Sequence, residues 1–142
     1  MSTVLLIPCH HAAFNHWYLL ARIKVQGGKH DIHIFDSMGI VFAKKNMKKV
    51  KELLMAINLI DETENCIPMN VKRQTEQECG VRMMNYMVMF KEWVNRNNEA
   101  RSIIRQLNRA TKAERTGESD LAKASRKKIS DFLKGQKENA LE

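Results

Sequence analysis

Hydrophobic residues near the start of the chain are grouped as they are in short β-strands. Residues 4–7 form an apolar run that Pro8 closes, which is typical of a buried strand. Residues 16–25 are rich in aromatic and aliphatic side chains, and a glycine pair follows at positions 27 and 28. Because a glycine pair readily adopts the positive φ angles of a tight turn, residues 16–25 are predicted to form a strand that leads into a turn.

The residues after this turn alternate between the two faces of a strand. Ile32 and Ile34 fall on one face, and His33 and Phe35 fall on the other. Two strands around a glycine turn predict a β-hairpin over residues 16–35.

The hydrophobic period changes to that of helices from Asn46 onward. A first helix is predicted to lie on the sheet, with lysines on its other side. A short strand is predicted over residues 66–73. A second helix is predicted from Cys79 to about Val94, and its apolar residues on several sides indicate that it is largely buried. The apolar positions of the first helix are Val50, Leu53, Leu54 and Ile57.

Residues 96–142 are basic and have thin apolar stripes, unlike residues 1–95. They divide near Gly117 into two predicted helices, which either dock loosely or become ordered only on a partner. The chain is therefore divided into an α+β region, 1–95, and a basic helical or partly disordered tail, 96–142. The apolar residues of the two tail helices are Ile103, Ile104 and Leu107, then Leu121, Ile129, Phe132 and Leu133.

Length and composition restrict the class of protein. At 142 residues the chain suits one domain, and it has no apolar stretch of the roughly 18 residues that a membrane span needs. We therefore expect no membrane partner. Three cysteines, an odd number, argue against a disulfide framework and for an intracellular location in the nucleus or cytoplasm. The net charge of +8 favours an acidic partner, either nucleic acid or protein.

Cys79 and Gly80 stand where the pattern predicts the start of a helix. A thiol at a helix N-terminus meets the positive end of the helix dipole, which favours the nucleophilic thiolate. The first backbone N–H groups of the helix could also bind the oxyanion that forms when a thiolate attacks a carbonyl. Gln74, with Gln77 as the alternative, could add a side-chain amide donor to this oxyanion hole.

A cysteine nucleophile needs a base, and the predicted hairpin supplies one. His16 opens its first strand and Asp36 follows its second. Because an antiparallel hairpin brings its two open ends together, the imidazole and the carboxylate are predicted to be neighbours. His16 is therefore the candidate base, and Asp36 is the candidate group that orients it.

The order of these residues resembles that of a known family. His16-Trp17 before a strand, Asp36-Ser37 after the next, and Gln74 ahead of Cys79-Gly80 are similar to the motifs of the Ulp/SENP proteases, which are specific for ubiquitin-like proteins and distantly related to adenovirus-type proteases. The resemblance covers roughly residues 4–95.

This resemblance implies a papain-like cysteine protease core, a small mixed sheet with a nucleophile-bearing helix, of which the chain holds the C-terminal catalytic half. It implies that Trp17 covers the His–Cys pair. It also implies cleavage of SUMO-type precursors or conjugates after Gly-Gly, with no cofactor.

Two alternatives stay open. The chain could keep the protease fold and only bind ubiquitin-like proteins, or it could be a basic module that binds nucleic acid. For the second alternative, Arg101, Arg105 and Arg109 fall on one face of the first tail helix. Cys9, His10, His11 and His16 are residue types that bind zinc, but their spacing fits no closed set of ligands, so no metal is expected.

Overall fold

The computed structural model describes residues 3–73, 79–118, 127, 130–131 and 133–135. Four strands form one mixed sheet in the order β1-β2-β3-β4, in which β1, β2 and β3 are antiparallel and β4 is parallel to β3. The strands are β1 Val4–His11, β2 His16–Lys24, β3 His30–Phe35 and β4 Asn65–Pro68. The helices are α1 Ile40–Ala56, α2 Cys79–Arg96 and α3 Ala100–Arg115. The protein is therefore a small mixed α+β protein.

The predicted hairpin is confirmed. Leu19 of β2 lies opposite Phe35 of β3, and Lys24 lies opposite His30 next to the turn. Both turn glycines have positive φ angles, near 78° and 73°. A side chain at these positions would strain the backbone, so glycine is the residue that suits this turn.

Both faces of the two central strands are buried, because helices cover the sheet on each side. On one face, Leu20, Ile32 and Ile34 belong to a core cluster with Val50 and Leu54 of α1. On the other face, a second cluster joins β2 and β3 to α2 and α3. Its fully buried members include Leu19, Ala21, Ile23, Phe90, Ile103 and Leu107.

Helix α1 begins six positions earlier than predicted, at Ile40 instead of Asn46. Gly39 precedes it with a φ of 100°, a conformation that ends the preceding turn and that glycine adopts without strain. The predicted apolar face is correct for Val50 and Leu54, which are buried. It is wrong for Leu53 and Ile57, each 55% exposed, because the helix presents only a narrow stripe to the sheet.

Strand β4 is shorter than the predicted strand over residues 66–73. It ends at Pro68. The backbone amide of the next residue, Met69, still donates to the carbonyl of Ile34 at 2.9 Å. The Val71 amide then bonds the Met69 carbonyl two residues back. This tight turn takes the chain away from the sheet and toward the start of α2.

Helix α2 begins at Cys79, as predicted. It buries three aromatic residues, Tyr86, Phe90 and Trp93, against the sheet. The prediction that it is largely buried is correct for this side only, since Met84 and Val88 are 43% and 39% exposed on the opposite side.

Helix α3 belongs to the core. Ile103 and Leu107 are fully buried in the cluster that also contains residues of β2 and α2. The core thus includes residues on both sides of the predicted division at residue 95, and the prediction of loose docking is wrong for this helix. Of the apolar residues predicted for the last helix, Leu121, Ile129 and Phe132 lie outside the described residues, and Leu133 is exposed within a helical stretch.

Among the described residues, no helix is both long and apolar enough to cross a bilayer.

His33 is a buried titratable group on the α2 side of the sheet. Its Nδ1 lies 3.2 Å from Met69 Sδ, and its Nε2 has no hydrogen-bond partner among the residues that the structure describes. Burial lowers the pKa of His33 below the ordinary value of 6.5, and the nearby Asp31 carboxylate offsets part of that effect. The imidazole is therefore held neutral inside the folded protein.

We expect this histidine to weaken the fold in acid. Above about pH 6.5, His33 is neutral in both the folded and unfolded states, and its contribution to stability is fully present. As the pH falls from there through the lower folded-state pKa, the unfolded chain binds a proton that the folded protein resists, so stability decreases. Urea unfolding between pH 7.5 and pH 5 should show a smaller loss for His33→Gln than for the wild type.

The control for this experiment is His10→Gln, which removes one imidazole at an exposed position. An equal loss of stability in wild type and His33→Gln would contradict the assignment.

Candidate active site

His16 and Asp36 form a buried pair at one end of the central hairpin. His16 is the first residue of β2, and Asp36 directly follows β3. The Nε2 of His16 donates to Oδ1 of Asp36 at 2.6 Å, and the two residues are only 5% and 2% exposed. Hairpin geometry thus brings together the two residues that the sequence predicted to be neighbours.

Two further contacts fix this pair. The Met38 amide donates to the same Asp36 oxygen at 2.9 Å, which closes a local turn and holds the carboxylate in place. The ring of Phe42, in the first turn of α1, meets the His16 ring edge-on, with centroids 5.8 Å apart. The imidazole is therefore held by a carboxylate on one side and an aromatic ring on another.

The hydrogen bond determines which ring nitrogen is available for chemistry. With Nε2–H directed at Asp36, a neutral His16 carries its lone pair on Nδ1. Within the described residues, no hydrogen bond involves Nδ1. That nitrogen is therefore the one that can accept a proton.

Cys79 lies half-buried at the first position of α2 and lines a narrow pocket. The same pocket is lined by Trp17 and Ser37, which directly follow His16 and Asp36 in the chain. Cys79 thus shares a pocket with the neighbours of the buried pair. In the described part of the chain, Cys79 and His16 are not hydrogen-bonded to each other.

Three further positions belong to the predicted oxyanion hole. Gln74 and Gln77 lie outside the described residues. Gly80 is the second residue of α2, and no atom of the described residues lies within 4 Å of a Cβ placed there. Contacts with the described residues therefore do not require glycine at this position.

Arg82 and Glu114 are buried charged residues near this pocket that the sequence analysis missed. Arg82, one helical turn after Cys79, lines the pocket and donates to the carbonyl of Lys72. Its guanidinium lies 3.7 Å from the Glu114 carboxylate of α3. Charged and polar residues inside an otherwise apolar helix were the available signal, because Arg82 could be buried only with a partner.

Tyr86 completes this network. Its hydroxyl donates to Glu114 at 3.1 Å. Burial, together with the adjacent Glu114 charge, raises the pKa of Tyr86, so the hydroxyl stays protonated and remains a donor. The network ties α3 to the first turns of α2 and, through Arg82, to the carbonyl of Lys72.

The other two cysteines lie on the α1 side of the sheet, packed against the core cluster that contains Leu20 and Val50. Burial raises the pKa of the Cys9 thiol, and a hydrogen bond with Tyr18 opposes this in part. Burial also raises the pKa of Cys66, against the effect of Lys51.

Two of the histidines that were considered as zinc ligands have hydrogen-bond partners in the protein. His10 bonds to Asn15 and His16 bonds to Asp36. In the ranges that the structure describes, no three His, Cys, Asp or Glu side chains are grouped as metal ligands.

Comparison with known proteins supplies a fold and no family. No protein-family model and no curated protein match the chain. Among solved structures, the chain is similar to the central domain of an uncharacterized protein, Lpg1148, from Legionella pneumophila. The TM-score is 0.56 and the identity is 18%, over 90% of this chain and 70% of that one. At this level of identity the similarity shows a shared fold alone.

We expect Cys79 to be the first cysteine to react with iodoacetamide at pH 7.5. The raised pKa values of Cys9 and Cys66 leave little thiolate at this pH, whereas Cys79 begins α2 and lines a pocket. Peptide mass spectrometry over time gives the rate at each cysteine.

The matched control is Cys79→Ser, which should abolish the fast phase and leave the two slow ones. If Cys9 or Cys66 reacts as fast as Cys79, the assignment of a reactive thiol is wrong.

Proposed function

We propose that this protein is a papain-like cysteine peptidase of the Ulp/SENP type, which cleaves ubiquitin-like, SUMO-type precursors or conjugates after Gly-Gly. The observation that carries the proposal is the buried 2.6 Å hydrogen bond between His16 and Asp36. A carboxylate that binds one ring nitrogen orients the imidazole and stabilises its protonated form, which is what a general base next to a thiol requires.

The position of Cys79 supports the same function. It begins a helix of 18 residues, so its sulfur lies at the positive end of the helix dipole. Its pocket is walled by the residues that follow His16 and Asp36. In the proposed mechanism the sulfur and Nδ1 come into hydrogen-bond reach when substrate binds, since such bonds often tighten only with substrate.

The proposed reaction proceeds in two stages. The Cys79 thiolate attacks the scissile carbonyl and forms a carbon–sulfur bond, and the oxyanion is held by the first backbone N–H groups of α2. His16 then passes a proton to the departing amine as the carbon–nitrogen bond breaks. In the second stage His16 removes a proton from water, which attacks the thioester, releases the carboxylate product and restores the thiol.

The shape of the pocket supports a Gly-Gly substrate. Trp17 and Phe35 wall a narrow pocket beside Cys79. Glycine has no side chain, so a Gly-Gly backbone can approach the sulfur where larger residues would collide with these rings.

A ubiquitin-like protein with a C-terminal electrophile tests the proposal. We expect it to form one covalent adduct, on Cys79, in the wild type. His16→Ala should slow adduct formation by about 10²- to 10⁴-fold, because the base is lost. Gel shift and peptide mass spectrometry measure the rate and the site.

Two controls separate failure of chemistry from failure of folding. Cys66→Ala should still form the adduct, and Cys79→Ala should form none. Absence of the adduct in a wild-type protein with an intact circular dichroism spectrum contradicts the peptidase proposal. Binding of the unmodified ubiquitin-like protein by that same sample would support the binding-only alternative.

Nucleic-acid binding is the second candidate, and the exposed face of α3 favours it. Arg101, Arg105, Arg109 and Lys112 are all exposed at helical spacing. Four phosphate contacts predict that log Kd changes with log salt with a slope of about 3 to 4 in magnitude. Duplex DNA binding by fluorescence anisotropy measures this slope, and Arg105→Gln should reduce it by about one. A salt-independent signal, or an unchanged slope in the variant, would contradict this candidate.

A further inference from the structure

An open groove adjoins the Cys79 pocket. Its walls are residues 38–41, where the chain enters α1, residues 70–73, which follow β4, and Arg115 at the end of α3. It encloses about 460 Å³, which is enough for several side chains. Neither the predicted triad nor the proposed reaction uses this groove.

The groove and the Cys79 pocket are neighbours. Val71 lines both of them. Ser37, in the wall of the pocket, is followed by Met38 in the wall of the groove. An extended chain that presents a carbonyl to Cys79 would therefore pass close to the groove.

The charged side chains that line the groove, among the residues that the structure describes, are all basic. They are Lys72, Arg73 and Arg115. In the part of the chain that the structure describes, none of these three forms a salt bridge with an acidic side chain. Three cations in one groove repel one another, and an anionic group between them would relieve that repulsion.

Arg115 is held in place, and Arg73 begins beside the entry to α1. Arg115 donates to the carbonyl of Asn70, which fixes its guanidinium at the groove. The Cβ and Cγ of Arg73 lie 3.9 Å from the position that a Cβ would take at Gly39. An arginine guanidinium can bind a carboxylate through two parallel hydrogen bonds.

We infer that this groove binds acidic side chains of a peptide segment whose backbone occupies the Cys79 pocket. As a statement about substrate, this rests on the proposed peptidase function, and it adds that the sequence next to the cleaved bond is acidic. A peptide is favoured over nucleic acid because the three cations are gathered in one groove, beside a pocket lined by aromatic and apolar side chains. Nucleic acid would instead need cations spread along its phosphates.

The test is a binding experiment that needs no catalysis. The full chain with Cys79→Ala is titrated with two fluorescent peptides by anisotropy at low salt. Both contain a central Gly-Gly, which is flanked on each side by two Glu residues in one peptide and by two Gln residues in the other. We expect the Glu peptide to bind about tenfold more tightly, and added salt to remove the difference.

Variants locate the effect. Adding Arg73→Gln should bring the affinity for the Glu peptide close to that for the Gln peptide. The matched control Arg96→Gln, at the exposed end of α2, should leave the tenfold preference unchanged. Equal affinity for the two peptides, or no measurable binding of either, overturns the inference. The inference is also overturned if Arg73→Gln weakens the binding of an oligonucleotide and leaves the binding of the Glu peptide unchanged.

The outcome is separable from that of the proposed function. A Glu preference lost in Arg73→Gln, together with no electrophile adduct in the wild type, supports the acidic groove and rejects the peptidase. An adduct on Cys79 together with equal affinity for the two peptides rejects the groove alone.

Discussion

The antiparallel pairing of β2 with β3 is the constraint on which most other features depend. Its register places Leu20 and Ile34 on one face of the sheet and Leu19 and Phe35 on the other, so it determines what α1 and α2 each cover. The same register brings the first residue of β2 beside the residue that follows β3. A slip of one residue would exchange the two faces and would separate the imidazole from its carboxylate.

The charged network behind the pocket shows how the helices are positioned relative to this sheet. Arg82 and Glu114 are both buried, and each would be costly without the other. Their pairing, with Tyr86 as a second donor, holds α3 against α2, and Arg82 also binds the carbonyl of Lys72 after β4. Apolar contacts between α2 and α3 then add buried surface to a packing arrangement that these directional polar contacts already orient. This explains why a helix with a thin apolar stripe is part of the core.

Local patterns predicted the parts of the fold that depend on neighbouring residues. The hairpin was predictable because alternation and the glycine turn are read within 20 residues, and the His16–Asp36 pair follows from it. The start of α1 was missed because Gly39 ends the preceding turn through its backbone conformation and offers no capping side chain. The Arg82–Glu114 pair was missed because hydrophobic period carries no information about partners distant in sequence. The outward position of Leu53 depends on how much sheet lies beneath the helix, which only the assembled fold determines.

The two prolines of the chain occupy the two outer strands of the sheet, Pro8 in β1 and Pro68 in β4. An outer strand displays backbone donors and acceptors with which a foreign strand could pair. Proline removes one donor and obstructs such pairing, so each edge is interrupted once. Growth of the sheet from one copy of the chain to the next is thereby opposed at both ends. A protein that carries an apolar four-stranded sheet is in this way protected against aggregating through its own edges.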